Sequence, residues 1–159
     1  MTNVKPVPEG YSTVTPYLFI KGAAGAIDFY KNVFGATERI RMPGPNGRVM
    51  HAELEIGDSI IMLADEVPQI GAKSPQTIGG ASSSLHVYVE KVDAIVQKAL
   101  DSGATLSRPV ADQFYGDRTG TIIDPFGHIW SIATHIEDVS PEEMKKRMAS
   151  AMSQSAGGS

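Results

Sequence analysis

The sequence predicts an α+β fold made of two βαβββ modules, and three observations carry that prediction. A strand–helix–strand–strand–strand order is written twice along the chain. Each copy closes with a hairpin on a tight turn, at Gly57-Asp58 in the first and at Asp124-Pro125-Phe126-Gly127 in the second. The helix exits also read alike, Gly35-Ala36-Thr37 against Gly103-Ala104-Thr105. An internal repeat of this kind strongly limits the fold. Each sheet needs its helix on one face and leaves the other face open. The two open faces are therefore expected to line a common U-shaped trough.

The elements follow in order. Residues 1–13, with Pro6, Pro8 and Gly10, read as an irregular arm, and the domain proper spans 14–139. Its first module covers 14–66, a linker 67–83 and the second module 84–139. "TPYLFIKG" is a strand by its aromatic and branched content. "AAGAIDFYKNVFGA" is a helix with Ile27, Tyr30, Val33 and Phe34 at helical spacing and Gly35 as its C-terminal cap. "TERIRM" is a strand, "PGPNG" a turn, and "RVMHAELEIGDSIIMLADE" a hairpin. The stretch after Val67 is rich in Gly, Ser and Pro, which suggests a linker or a mobile flap. In the second module "SLHVYVE" is a strand and "KVDAIVQKALDSGA" a helix with Val92, Ile95, Val96 and Ala99 on one face. "TLSRPVADQF" extends and "GTIIDPFGHIWSIAT" is the second hairpin. Ser140, Pro141 and Glu143 form a capping box that opens a C-terminal helix over 140–152, with Met144, Met148 and Met152 along one side. Residues 153–159 read as a disordered tail.

Composition narrows the function classes. A chain of 159 residues with 42% apolar residues is one globular domain. The absence of cysteine excludes disulfides and thiolate chemistry and fits a cytoplasmic protein. A net charge of -4 without a basic patch gives no footprint for nucleic acid or an anionic membrane. No Gly-rich phosphate loop and no nucleophile elbow is present, since "GPNG" is a hairpin turn. A small molecule and a second copy of the chain are the expected partners.

The segments "AIDFYKNVFGA", "HAELEIGDSIIMLAD" and "FYGDRTGTIIDPFGHIWSIATHIEDVSPEEM", in the doubled βαβββ order, resemble the vicinal oxygen chelate superfamily. That superfamily includes glyoxalase I, bleomycin- and fosfomycin-resistance proteins and extradiol dioxygenases. The resemblance runs from Val14 to Met144 and is strongest to the PhnB-like branch. It implies paired modules around a U-shaped cavity, in a dimer that can swap modules. In metal-bearing members four ligands come from the first and fourth strands of each module. Those places map here to Thr15, Met62, His86 and Ser131, of which only His86 is a good ligand. A divalent cation held tightly needs about three suitable protein donors. No cofactor is therefore expected, and any divalent metal would rest on His86.

Strand parity gives the candidate site. Ala52, Leu54 and Ile56 should face the helix of the first module, leaving His51, Glu53 and Glu55 on the other face. Thr15, Tyr17 and Phe19 share the open face, as do His86 and Tyr88, then Ser131 and Ala133 in the second module. Phe114 and Tyr115 read as wall or gate residues. Arg118 either pairs with Asp112 or Asp117 or reaches an anionic substrate. Trp130, of opposite parity to Ser131, should pack under its helix, while His128 and His135 read as structural.

The set suggests a pocket with apolar walls and sparse polar groups, suited to an aromatic or amphipathic ligand. The alternative is a lyase, isomerase or oxygenase. It would use His86 and His51 on a displaced metal, or His51 and Glu53 in metal-free acid–base work. The displaced site meets two objections of distance. His51 and His86 are separated by roughly 14 Å of strand spacing, and His51 and Glu53 by about 7 Å along their strand.

Overall fold

The computed structural model describes residues 3–157. Its first module contains β1 (Tyr17–Ile20), α1 (Ala23–Phe34), β2 (Thr37–Pro43), β3 (Val49–Ile56) and β4 (Ser59–Asp65). The second contains β5 (Ser84–Tyr88), α3 (Val92–Asp101), β6 (Thr105–Asp112), β7 (Asp117–Ile123) and β8 (Ile129–His135). Between them lies a short α2 (Pro75–Ile78), and α4 (Pro141–Ala156) follows. The sheets have orders β1-β4-β3-β2 and β5-β8-β7-β6. In each, the first strand runs parallel to the fourth and the other pairings are antiparallel. The expected doubled βαβββ order is thus present as two mixed four-stranded sheets.

Alternation explains how each sheet holds its helix. Leu18 and Ile20 of β1, Ala52 and Leu54 of β3, and Ile61 and Leu63 of β4 are all buried. They meet Ile27, Tyr30 and Val33 of α1, each buried. Each such aliphatic or aromatic side chain contributes about 1.5–3 kcal/mol when withdrawn from water. In the second module Val92, Val96 and Ala99 of α3 are buried with Ile122, Ile132 and Trp130. The indole N–H of Trp130 donates to buried Asp124 at 3.0 Å.

Neither module helix caps its own N-terminus with a side chain of its N-cap residue. Instead the last strand of each module supplies the acceptor. Asp65 Oδ1 accepts from the Gly22 and Ala23 amides at 3.1 and 3.0 Å, and its Oδ2 accepts from Val49 at 2.7 Å. Thr134 Oγ accepts from the Val92 amide at 3.0 Å and donates to the Val89 carbonyl at 2.8 Å. Both acceptors satisfy donors that a helix start otherwise leaves open.

Three segments differ in detail from the sequence reading. The first strand begins at Tyr17 rather than Thr15, although the Pro16 carbonyl still accepts from Met62 at 2.9 Å. The stretch after Val67 holds a 3-10 turn (Pro68–Ile70) as well as α2, because Glu66 organises it. Its carboxylate accepts from the Ser74 amide and the Thr77 hydroxyl, both at 2.8 Å, and buried Ser74 then caps α2 ahead of Pro75. The C-terminal helix continues past Met152 to Ala156, and residues 158–159 of the expected tail lie outside the described residues. Ser140 accepts from the Glu143 amide at 3.2 Å and opens that helix with Pro141 in its first turn.

By its contacts the chain forms two compact units, the first ending at Ser82 and also taking in Pro125–His128, the second formed by Ser83–Asp124 and the chain from Ile129. Within the first unit the Phe126 ring lies where a Cβ on Gly25 would come within 3.3 Å. His128 Nε2 lies 3.1 Å from the Phe19 carbonyl. Among the described residues no helix is long and apolar enough to cross a membrane.

Candidate functional site

The register of the first sheet aligns its open face in rows. Tyr17 stands opposite Met62, Met62 opposite Glu53, and Glu53 opposite Ile40. In the next row Phe19 stands opposite Ala64, and His51 opposite Met42. Paired residues share a face, so this side of the sheet carries aromatic, thioether and aliphatic groups around one imidazole and one carboxylate. Tyr17 and Phe19 are 41% and 37% exposed, Met42 is 56% exposed, and the two rings lie 5.5 Å apart. Glu53 in contrast is only 5% exposed.

The polar groups form one hydrogen-bonded chain. The Tyr17 hydroxyl lies 2.8 Å from His51 Nδ1, and His51 Nε2 lies 3.1 Å from Glu53 Oε1. The Tyr11 hydroxyl donates to Glu53 Oε2. Burial alone would push the Glu53 carboxyl up, but the bonds from Tyr11 and His51 outweigh it and hold the group below its ordinary value. It is therefore an anion that can only accept. That requires a proton on His51 Nε2, and in the tautomer carrying only that proton Nδ1 accepts from Tyr17. Burial, followed by the Glu53 charge, raises the Tyr17 phenol, so Tyr17 keeps its proton. Every donor in the chain then has an acceptor. The strand separation of His51 and Glu53 is closed by side-chain reach, since both point the same way and both are long.

Tyr11 and Arg39 belong to this site but did not stand out in the sequence. Tyr11 sits in the irregular arm, 42 residues from Glu53. The Arg39 guanidinium stacks over the Tyr11 ring at 5.4 Å and lies 3.9 Å from Glu55. No local signal marks such a contact.

In the second sheet His86 stands opposite Ser131, and Ser131 opposite Thr121. His86 and Tyr88 meet edge to face at 4.9 Å. The polar chain of this unit lies elsewhere, at the end of the sheet. The Tyr88 hydroxyl donates to Asp117 Oδ2 at 3.1 Å, and His135 bridges Asp117 and Asp138 at 2.6 and 2.8 Å. Both ring nitrogens of His135 face carboxylates, and the bonds to Asp138 and Asp117 raise its pKa. Phe114 and Tyr115 pack edge to face at 5.4 Å, and Phe114 borders an open cleft of about 300 Å³ against Glu143, Arg147 and Ala151 of α4. Arg118 is placed differently from the anion-binding role considered for it. Its strand neighbours Thr134 and Asp112 fix it on the α3 side, where it pairs with Asp93 of α3 at 2.8 Å and with Asp112 at 2.9 Å. Asp117, the other partner considered for it, faces the opposite way.

A metal is tested by the donors at the places implied by resemblance. With β1 starting at Tyr17, the residue in register with Met62 is Tyr17 rather than Thr15. The set is then a phenol, a thioether, the His86 imidazole and the Ser131 hydroxyl. These donors do not fit a tightly held divalent cation, which wants imidazole, carboxylate or thiolate. Among the described residues no three His, Cys, Asp or Glu side chains are grouped so that they could hold a metal ion.

Comparison with known proteins adds the wider frame. The pattern of the Glyoxalase/Bleomycin resistance protein/Dioxygenase superfamily matches residues 12–132. An uncharacterized protein of Mycobacterium bovis is 42% identical over 151 residues, covering 93% of this chain and 95% of its own. Among solved structures, TioX from Micromonospora sp. ML1 is 24% identical with a TM-score of 0.60, covering 81% of this chain and 100% of its own. A PhnB protein from Bacillus cereus is 20% identical with a TM-score of 0.61, covering 77% of this chain and 99% of its own. These two likenesses speak to the fold alone.

Proposed function

The chain belongs to the Glyoxalase/Bleomycin resistance protein/Dioxygenase superfamily, and within it we propose a PhnB-like small-molecule-binding protein that works without the superfamily's usual metal centre. Its ligand is an aromatic or amphipathic compound. The reading is carried by the open face of the first sheet. There Tyr17, Phe19, Ile40 and Met42 remain exposed around the Tyr17–His51–Glu53 chain. An apolar surface that stays uncovered and converges on a few fixed polar groups is suited to a ligand with a flat body and one polar end. The donor chemistry at Tyr17, Met62, His86 and Ser131 supports the metal-free part. The resemblance of the segment "FYGDRTGTIIDPFGHIWSIATHIEDVSPEEM" supports the PhnB-like part.

The test is a fluorescence titration with 8-anilinonaphthalene-1-sulfonate. Tyr17→Ala combined with Phe19→Ala is expected to weaken binding about tenfold, the effect of roughly 1.4 kcal/mol. Equal affinity for wild type and double variant would overturn the reading. Elemental analysis of protein purified without chelator tests the second half, and a stoichiometric metal lost on His86→Ala would sink it.

One observation favours a second reading, a lyase or isomerase using metal-free acid–base chemistry. An imidazole hydrogen-bonded to a buried carboxylate at 3.1 Å is the arrangement of a general base.

A further inference from the structure

The chain Tyr17–His51–Glu53–Tyr11 has a direction, and the direction says what kind of ligand it suits. Glu53 accepts at both oxygens, from His51 and from Tyr11. The Tyr11 bond fixes the carboxylate from the side away from His51, and the Arg39 guanidinium stacks on the Tyr11 ring. His51 cannot turn without losing either Tyr17 or Glu53. Tyr17 donates to His51, and its oxygen keeps lone pairs free on an exposed side chain. The outer end of the chain in its resting state is therefore an acceptor that can be approached from solvent, backed by a base and an anion.

We propose that this chain is a proton-accepting relay, which takes a proton from a weakly acidic ligand lying on the first sheet and holds the ligand as its anion. The ligand class is a phenol or an enol on an aromatic body. The proposal rests on the ligand-binding reading given above and deepens it. In the step, the ligand O–H bond breaks and its proton bonds to the Tyr17 oxygen. The former Tyr17 proton moves to His51 Nδ1. The products are a ligand oxyanion hydrogen-bonded by Tyr17 and an imidazolium facing the Glu53 carboxylate. No electrons are transferred and no co-reactant is needed.

The surroundings favour that state. The groups facing His51 are Glu53 on its own strand and Tyr17 on β1, with Met42 opposite on β2 being apolar. Tyr11 from the arm bonds Glu53 rather than the imidazole, and Arg39 of β2 lies over the Tyr11 ring and 3.9 Å from Glu55. The one charge in contact with His51 is thus the Glu53 anion, whose Oε1 lies 3.1 Å from Nε2.

The relay is tested with 4-nitrophenol, whose phenol and phenolate differ in absorption, added to the full chain at a pH where the free probe is mostly protonated. Wild-type protein is expected to shift the bound probe toward phenolate by about tenfold, the effect of one pKa unit. Tyr17→Phe and His51→Gln lie on the solvent side and leave the core intact. They are expected to bind the probe while its ionised fraction returns to that of free solution. Bound probe that is no more ionised than free probe, or equally ionised in wild type and His51→Gln, overturns the relay. If the naphthalene dye binds and 4-nitrophenol does not, the ligand class and with it the relay are overturned. If neither binds, the ligand-binding reading itself falls.

Discussion

The two modules share one topology and use it differently. Met62 and Ser131 occupy the same place in their sheets, each in register with the first strand, at Tyr17 and at His86. Three residues further on, Asp65 and Thr134 hold the start of the module helix. One residue earlier, Ile61 and Trp130 pack beneath it. The scaffold thus repeats position by position. The polar chains do not. In the first module, tyrosine, imidazole and carboxylate lie in the middle of the open face. In the second, Tyr88, Asp117, His135 and Asp138 lie at the sheet end and tie the last strand to the segment that leads to α4. A repeat therefore fixes where side chains can stand, while the residue type at each place decides whether a position serves chemistry or anchoring.

The comparison can be broken or sharpened by substitution, starting with the packing pair. Trp130→Ala should cost about 3–5 kcal/mol in chemical denaturation, since it removes a fully buried indole. Ile61→Ala, at the same place in the first module, should cost less because the volume deleted is smaller. Equal costs would mean that the two cores do not differ in the way their sequences suggest.

The helix anchors come next. Asp65→Ala deletes an anionic acceptor from three backbone amides and should cost about 3 kcal/mol. Thr134→Val deletes one accepted and one donated bond of a neutral hydroxyl and should cost about 1 kcal/mol. Paired unfolding curves check the ratio.

Gly116 probes the anchoring of the second module alone. Its φ is 99°, and a Cβ there would lie 2.2 Å from the Glu137 carbonyl oxygen. The Gly116 carbonyl also accepts from Ile136 and Glu137 at 2.9 and 3.0 Å. Gly116→Ala should cost about 2 kcal/mol through strain. It should also speed proteolytic release of α4, without changing dye binding to the first sheet.

The smallest effect concerns pH. His135 has a pKa raised above its unfolded value by Asp138 and Asp117. Its contribution to stability is therefore fully present below about pH 6.5, the ordinary imidazole value, and is lost as pH rises through the folded value. His135→Gln should destabilise the protein more at pH 5 than at pH 9. A cost that is larger at pH 9 would reverse the assignment of both ring nitrogens as donors.

Much of this was legible in the residues. The doubled element order, the two hairpin turns and the alternation in "HAELEI" follow from local geometry, because turns and strand parity are set by neighbours in sequence. Parity placed Ala52 and Leu54 under the helix and His51 and Glu53 on the opposite face. It could not place Arg118 fully, since a side chain on a known face still has several partners, and Asp93 of α3 lies 25 residues away. It also missed the structure after Val67, where Glu66 reaches forward to Ser74 and Thr77 and turns a loop-like composition into a short capped helix.

The sequence by itself determined the repeat, the faces and the chemistry available on each face, because those depend on residue type and on a period of two. Only the tertiary structure decided that Tyr11, from an arm with no regular structure, closes on Glu53, and that Tyr17 closes on His51. Such contacts join points 42 and 34 residues apart. The second follows from strand pairing, which brings Tyr17 and the His51–Glu53 strand to either side of β4, an adjacency that no local pattern encodes.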